Sequence, residues 1–429
     1  MARKKNVQKA ESLPLVAIEM GSHSVRAMAA ERIDSDLMKI LAVEENNKVN
    51  CIQGGIITKT AEAAYLIAQT LHLLANRLKM PKEQLSTAFV TVGGKSVQAI
   101  SVFSKRDQIR RREISDHLLN EMERECKLKI ESRNPDAAVI GLIPCYYVLD
   151  NIEQDTPPTP IQRATLVEVH YTAFVGRKEI ETQLQKSFDQ AYKSIEKTFV
   201  RQDALLSVFA CEDGEEILQR GCAVLDLGAQ TTTLTVFKGT TYLFHKVVPQ
   251  GGYNITRVIE QQGINFQTAE TLKTKYGYAS AAQVQKNLKM RIPASEEVGG
   301  ELVITSEELA YMIQMKLEEI VGPLMAALQQ FSERISTLYI TGGGSMLQGI
   351  DSYLQQKTNL RVIYGAHNSL LTDDTDMHYY EPQFSALVGA LIMGADYREQ
   401  HKGEPVKKPG LLDRLEGTVV DIFSNEIEN

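Results

Sequence analysis

The 429-residue chain is longer than a single core usually supports, so two or more domains are expected. Hydrophobic residues at 43% and charged residues at 24% are globular values and exclude a disordered chain. A formal net charge of −7 lacks the basic excess of a nucleic-acid binder, so no nucleic-acid partner is expected.

The N-terminal MARKKNVQKAESLP is basic, but only LVAI follows before Glu19, which is too short for a signal-peptide core. Leu15 to Glu31, LVAIEMGSHSVRAMAAE, reads as an apolar strand, an acid (Glu19), Gly21, a small polar turn through Ser22, His23 and Ser24, then a second strand. A charged helix, RRREISDHLLNEMERECKLKI, precedes the proline-rich DTPPTP at Asp155 to Pro160, and the arginines of RDQIRRRE read as a solvated face. The stretch LVEVHYTAFVGRKEIETQLQKSFDQAYKSI then predicts a strand followed by an amphipathic helix.

Cys222 to Phe237, CAVLDLGAQTTTLTVF, repeats the first pattern: Asp226, one residue, Gly228, a turn through Ala229, Gln230 and Thr231, and a second strand. One such hairpin is ordinary turn chemistry, with the acid capping its own turn. Two of them, 207 positions apart (226 − 19), predict a duplicated architecture whose hairpins face a common cleft. A third glycine element, STLYITGGGSMLQGI, places Gly342, Gly343 and Gly344 after an apolar strand and a helix start near Ser345, where a backbone can approach a ligand closely. Neither GxGxxG nor a Walker motif is present. The five cysteines (Cys51, Cys126, Cys145, Cys211, Cys222) lack metal-ligand spacing and predict buried thiols of a reducing compartment. The longest apolar run, ALVGALIMGA from Ala386, is too short to cross a bilayer.

Two acid-Gly hairpins followed by a GGG turn resemble the phosphate and adenosine segments of the superfamily of actin, heat-shock chaperone ATPases and sugar kinases. Phe244 to Ala279, FHKVVPQGGYNITRVIEQQGINFQTAETLKTKYGYA, narrows the resemblance to the bacterial cell-division family FtsA. The early VAIEMGSHSV, the GGI at Gly54 to Ile56, TVGGKSV at Thr91 to Val97 and EPQFSALVGALIMG extend it in order over nearly the whole chain. Gly228-Ala229-Gln230 stands where that family commonly has three glycines, and Ser24 where a lysine is common.

The resemblance implies an α/β, actin-like ATPase fold with two duplicated domains around a nucleotide cleft and an FtsA-type inserted subdomain. It predicts a first domain at 1–86 and 166–221, the insertion at 87–165, a second domain at 222–397 with a smaller part near 258–302, and a linker at 398–410. It also implies that ATP lies against both turns, Gly252, Asn254, Glu270, Lys273, Gly342 to Gly344 and Ser345, with Mg²⁺ held by Glu19 and Asp226. The Glu270/Lys273 pair also reads as a surface (i, i+3) ion pair. Sugar phosphorylation is disfavoured, because Gly251-Gly252-Tyr253-Asn254 offers no carboxylate base at the cleft. The implied role is a tether: the protein binds the C-terminal tail of FtsZ, assembles with itself, recruits later division proteins and acts as a weak ATPase at most. It would work peripherally on the cytoplasmic side of the cell membrane at the division site. The alternatives are a related pilus-assembly scaffold and a superfamily phosphotransferase.

The C-terminal LLDRLEGTVVDIFSNEIEN favours the tether. At ~100° per residue, Leu411, Leu412, Leu415, Val419, Ile422 and Phe423 share one ~120° arc, predicting an amphipathic membrane-targeting helix over 411–429 that ends near Asn425. Its polar side is acidic rather than basic, so a single tail should hold lipid weakly. The competing reading of this helix is one that docks on its own folded body.

Overall fold

The computed structural model describes residues 13–401 except 35, 36, 48, 214–218, 240, 366 and 367. Most of the predicted linker and the whole tail, including Leu411, Leu412, Leu415, Val419, Ile422 and Phe423, lie outside the described residues. Two five-stranded sheets form the frame. The first runs Ser194–Val200, Thr87–Val92, Leu15–Met20, Val25–Arg32, Met38–Asn46, and the second Arg361–Tyr364, Thr337–Thr341, Cys222–Leu227, Thr232–Lys238, Thr241–Val248. In both, the central strand pairs antiparallel with the strand after it and parallel with one far along the chain. The order therefore repeats strand for strand, as the duplicated hairpins imply.

Leu15 to Ile18 and Cys222 to Leu227 are buried without alternation, the pattern of strands covered on both faces. Thr60–Leu78 packs against the first sheet through Leu66, Ile67, Leu71 and Leu74, and stops where Lys79 turns left-handed (φ 54°) and donates to the carbonyls of Ala75 and Asn76. Ser306–Leu328 belongs to the second core; Thr305 and Glu308 close a reciprocal cap at its start.

A third, all-antiparallel sheet has the order Gln98–Glu113, Arg163–Arg177, Ala137–Leu149, Ile152–Gln154. The helix Asp116–Arg133 covers it with Met122 and Cys126. This corrects the predicted insertion boundaries of 87–165. The apolar Thr87–Val92 is a central strand of the first sheet, paired on both sides, whereas Arg163–Arg177 is one continuous strand of the inserted sheet. A second correction concerns Ser385–Gln400, expected in the second domain. Its Leu387, Val388, Leu391 and Ala395 are buried in the first core, so this helix returns to the opening domain.

Arg110, Arg111 and Arg112 are exposed, as a solvated face requires. Cys51, Cys126, Cys145 and Cys222 are buried, and none of these four is in a disulfide. Among the described residues no helix is long and apolar enough to cross a membrane.

Candidate functional site

The two hairpins close in the same way. Gly21 N–H donates to the Ser24 carbonyl at 3.0 Å, and Gly228 N–H to that of Thr231 at 2.9 Å. A Cβ on either glycine would stand 2.9 Å from that same carbonyl oxygen, so both turns exclude a side chain for the same reason. The turns end the central strands of the two sheets and face each other across a cavity of about 460 Å³. The mouth between parallel strands at their C-terminal ends is where ligands bind in α/β folds.

Every predicted cleft residue except two lines this cavity. Asn254 instead turns back to accept from Gly251 N–H at 2.9 Å, capping the helix Gly252–Glu260. Ser345 is buried, donating to the Gly342 carbonyl at 2.7 Å. The amides of Gly252 and Tyr253 are occupied as well, donating to the carbonyls of Gly228 and Ala229 at 2.9 and 2.8 Å. The second turn is thus bolted to that helix.

Gln230, which departs from the family pattern, has a structural use. It reaches into the first half, its Oε1 accepting from Gly54 N–H at 2.8 Å, while Ser22 Oγ accepts from the same amide at 3.0 Å. Gly54 and Gly55 can lie there because they pack backbone to backbone on Gly93 and Gly94, with both turns at positive φ. His23 Nδ1 lies 2.9 Å from the Tyr253 hydroxyl, and burial lowers the His23 pKa. Glu270 and Lys273 are an (i, i+3) pair, but a buried one. Lys273 Nζ donates to Glu270 at 2.8 Å, Thr256 Oγ1 at 2.9 Å and the Gly252 carbonyl at 3.1 Å, and burial lowers its pKa against the pull of Glu270.

The three glycines divide their work. Gly342 holds φ 79°, and a Cβ on it would stand 2.6 Å from Asp226 Oδ1; one on Gly344 would stand 2.8 Å from Leu227 Cβ. Gly343 has nothing within 4 Å of its Cβ position and borders the cavity, next to Met346 and Leu347 on the wall.

Both arginines of the cavity wall escaped the sequence reading. Arg26 lies two positions beyond Ser24 on the same strand face, bound to Glu45 at 2.7 Å and to Gln383 Oε1 at 2.8 Å. Arg201 is the first residue after the strand Ser194–Val200, and its guanidinium lies between the two acids. Its Nε donates to Asp226 Oδ2 at 2.6 Å, its Nη2 to Oδ1 at 3.4 Å, and its Nη1 to Glu19 Oε1. Side-chain exposures of 16% for Arg201, 12% for Glu19 and 9% for Asp226 make this a buried triad across both halves. Burial alone would lower the pKa of Arg201, but Asp226 and Glu19 outweigh it and raise it, so the cation is permanent.

This arrangement decides whether Mg²⁺ fits. Glu19 Oε2, Thr91 Oγ1 and Gln202 Oε1 are buried without hydrogen-bond partners, and oxygen is the right donor for a hard cation. The place between the acids is taken. Both Asp226 oxygens and one of Glu19 already accept from the Arg201 guanidinium, so an ion there would have to displace it. Among the described residues no group of three or more His, Cys, Asp or Glu side chains could hold a metal. The residues present do not fit a resident divalent cation.

Residues 223–389 match the family model described as Cell division protein FtsA. Curated relatives of that name align over most of the chain. The Porphyromonas gingivalis protein is 22% identical over 95% of this chain and 85% of its own, and the Escherichia coli K12 protein 20% identical over 92% and 93%. Among solved structures, a PilM-PilN type IV pilus biogenesis complex superposes with TM-score 0.64 at 16% identity, covering 89% of this chain and 98% of that one. Spiroplasma citri MreB5 bound to ADP gives 0.55 at 12%, covering 92% and 100%. The resemblance to FtsA read from the sequence is borne out, and the fold is actin-like.

Proposed function

We propose that the cleft binds ATP, and that the protein is an FtsA-like adaptor tethering FtsZ filaments to the cytoplasmic face of the membrane at the division site. The observation that carries the nucleotide reading is the pair of identically closed glycine turns facing one cavity with Gly342 to Gly344 on its wall. Phosphates would lie against the turns at Gly21 to Ser24 and Gly228 to Thr231. The base would lie beside Gly343 and Met346, and the ribose toward Glu270 and Lys273. Slow or absent hydrolysis agrees with the chemistry of the wall, since Glu19 and Asp226 are engaged by Arg201 and Asn254 is a helix cap. Gly343→Val should leave the fold intact, because its side chain meets open space, and weaken ATP binding at least ~10-fold in calorimetry. Unchanged affinity would move the ligand elsewhere.

The adaptor reading rests on the family match, on alignment over nearly the whole chain and on the amphipathic pattern at 411–425. Later division proteins would meet the inserted sheet, and copies of the chain would associate with one another. Lining several weak tails along one polymer makes each further insertion effectively intramolecular, raising apparent affinity ~10²–10⁴-fold. Vesicle flotation of the full chain should therefore grow with ATP and with FtsZ filaments, and Leu415→Glu or Phe423→Glu should abolish it. Flotation of the charge variants at the parent level would mean that the tail docks on the folded body. The superposition on the PilM-PilN complex keeps a pilus scaffold as the second reading. Co-sedimentation with FtsZ filaments only when they carry their C-terminal peptide separates the two.

A further inference from the structure

We propose that Arg201 is the built-in counter-cation of this cleft, standing where a divalent ion would sit between Glu19 and Asp226, so that polyphosphate binding here is independent of Mg²⁺. The inference rests on the nucleotide reading for its ligand, but its core concerns the protein alone.

The triad is a built feature. The guanidinium is planar with five N–H donors, and three of them point at the two carboxylates, from one edge to Asp226 and from one terminal nitrogen to Glu19. Its stem is fixed by Gly93, where a Cβ would stand 3.2 Å from Arg201 Cβ. Gly342, whose Cβ would collide with Asp226 Oδ1, fixes the opposite side. Room for the Arg201–Asp226 pair is therefore made by glycines on two different loops, Gly93 beside the arginine and Gly342 beside the acid. A guanidinium also does part of what the ion would do for the fold: it offsets one of the two negative charges at the ends of the central strands and joins the halves. Unlike Mg²⁺, it does not leave when the ligand leaves. The two N–H groups not used on the acids belong to a side chain that lines the cavity, and are available to a phosphate oxygen.

Two measurements on the full-length parent protein test this. In the first, without nucleotide, Mn²⁺ is titrated and followed by its paramagnetic resonance; no protein-bound ion is expected up to about 1 mM. Stoichiometric binding that Asp226→Asn removes would overturn the proposal. In the second, ADP affinity is measured in Mg²⁺ and in excess EDTA, and the two values should agree within about threefold. A loss of tenfold or more in EDTA would also overturn it. If ADP binds in neither buffer, the nucleotide reading fails, and the Mn²⁺ titration still judges the cation. Arg201→Gln should gain a Mn²⁺ site at the freed carboxylates. Arg201→Lys, which keeps one charge but cannot reach both acids, should show a weaker site and serves if the glutamine variant does not fold. Folded variants that bind no Mn²⁺ would show that the acids were never a cation site.

Discussion

Arg201→Ala is expected to lower the unfolding free energy by about 3–5 kcal/mol, the cost of removing one partner from a buried ion pair, at the upper end because two acids lose their partner. The desolvation of Glu19 and Asp226 persists in the variant, while the attraction that offset it is gone. Charge-free replacement of the whole triad should be milder. Arg201→Met with Glu19→Gln and Asp226→Asn leaves no buried charge and should recover a large part of the loss. Urea unfolding of the parent, the single and the triple variant decides the matter. A single variant as stable as the parent would mean that the acids find water on their own and that the triad is incidental.

A pH profile of stability should expose Asp203, which follows Arg201 by two residues. Burial raises its pKa from the ordinary 3.8 to about 6, against a hydrogen bond from the Tyr242 hydroxyl at 3.3 Å. A carboxyl whose folded pKa is raised contributes stability that is complete below the unfolded value. That contribution is lost as pH climbs from about 4 through about 6, so at pH 8 the penalty reaches about 3 kcal/mol. Asp203→Asn keeps an acceptor for Tyr242 and carries no charge. The variant should gain on the parent as pH rises and fall back toward it near pH 4. A stability difference that stays constant from pH 4 to pH 8 would show that Asp203 does not titrate in this window.

The sequence made the frame legible because its signals are local. An apolar run, an acid, a glycine two residues on and a second apolar run describe a hairpin by themselves, and finding it twice described the duplicated sheets. Arg201 was not legible in the same way. It follows the mixed strand SIEKTFV as any arginine might, and its meaning comes from two carboxylates 182 and 25 residues away in the chain. Asn254 misled for the opposite reason, since an asparagine three residues after Gly251 serves equally well as a helix cap and as a ligand contact. The insertion boundary was missed because Thr87–Val92 gives no sign of its strand partners, which lie at Leu15–Met20 and Ser194–Val200. The tilt of the Glu270/Lys273 pair toward the core depended on where the neighbouring helix Gly252–Glu260 came to rest.

The return of Ser385–Gln400 to the first core has a bearing on synthesis. Gly389 sits against the helix Arg201–Asp213 so closely that a Cβ would stand 1.9 Å from the Ala204 carbonyl oxygen, and Leu387 and Leu391 fill space beside the first sheet. While the ribosome is still translating, the opening half of the protein has its strands but lacks this helix, and apolar surface meant for it faces water. At ~5–20 residues per second, the 171 codons between the two helices (214 to 384) keep that surface open for ~9–34 s. The N-terminal half thus exposes that surface until the helix Ser385–Gln400 emerges, and a message cut short of Leu387 would yield a chain that cannot finish its first domain.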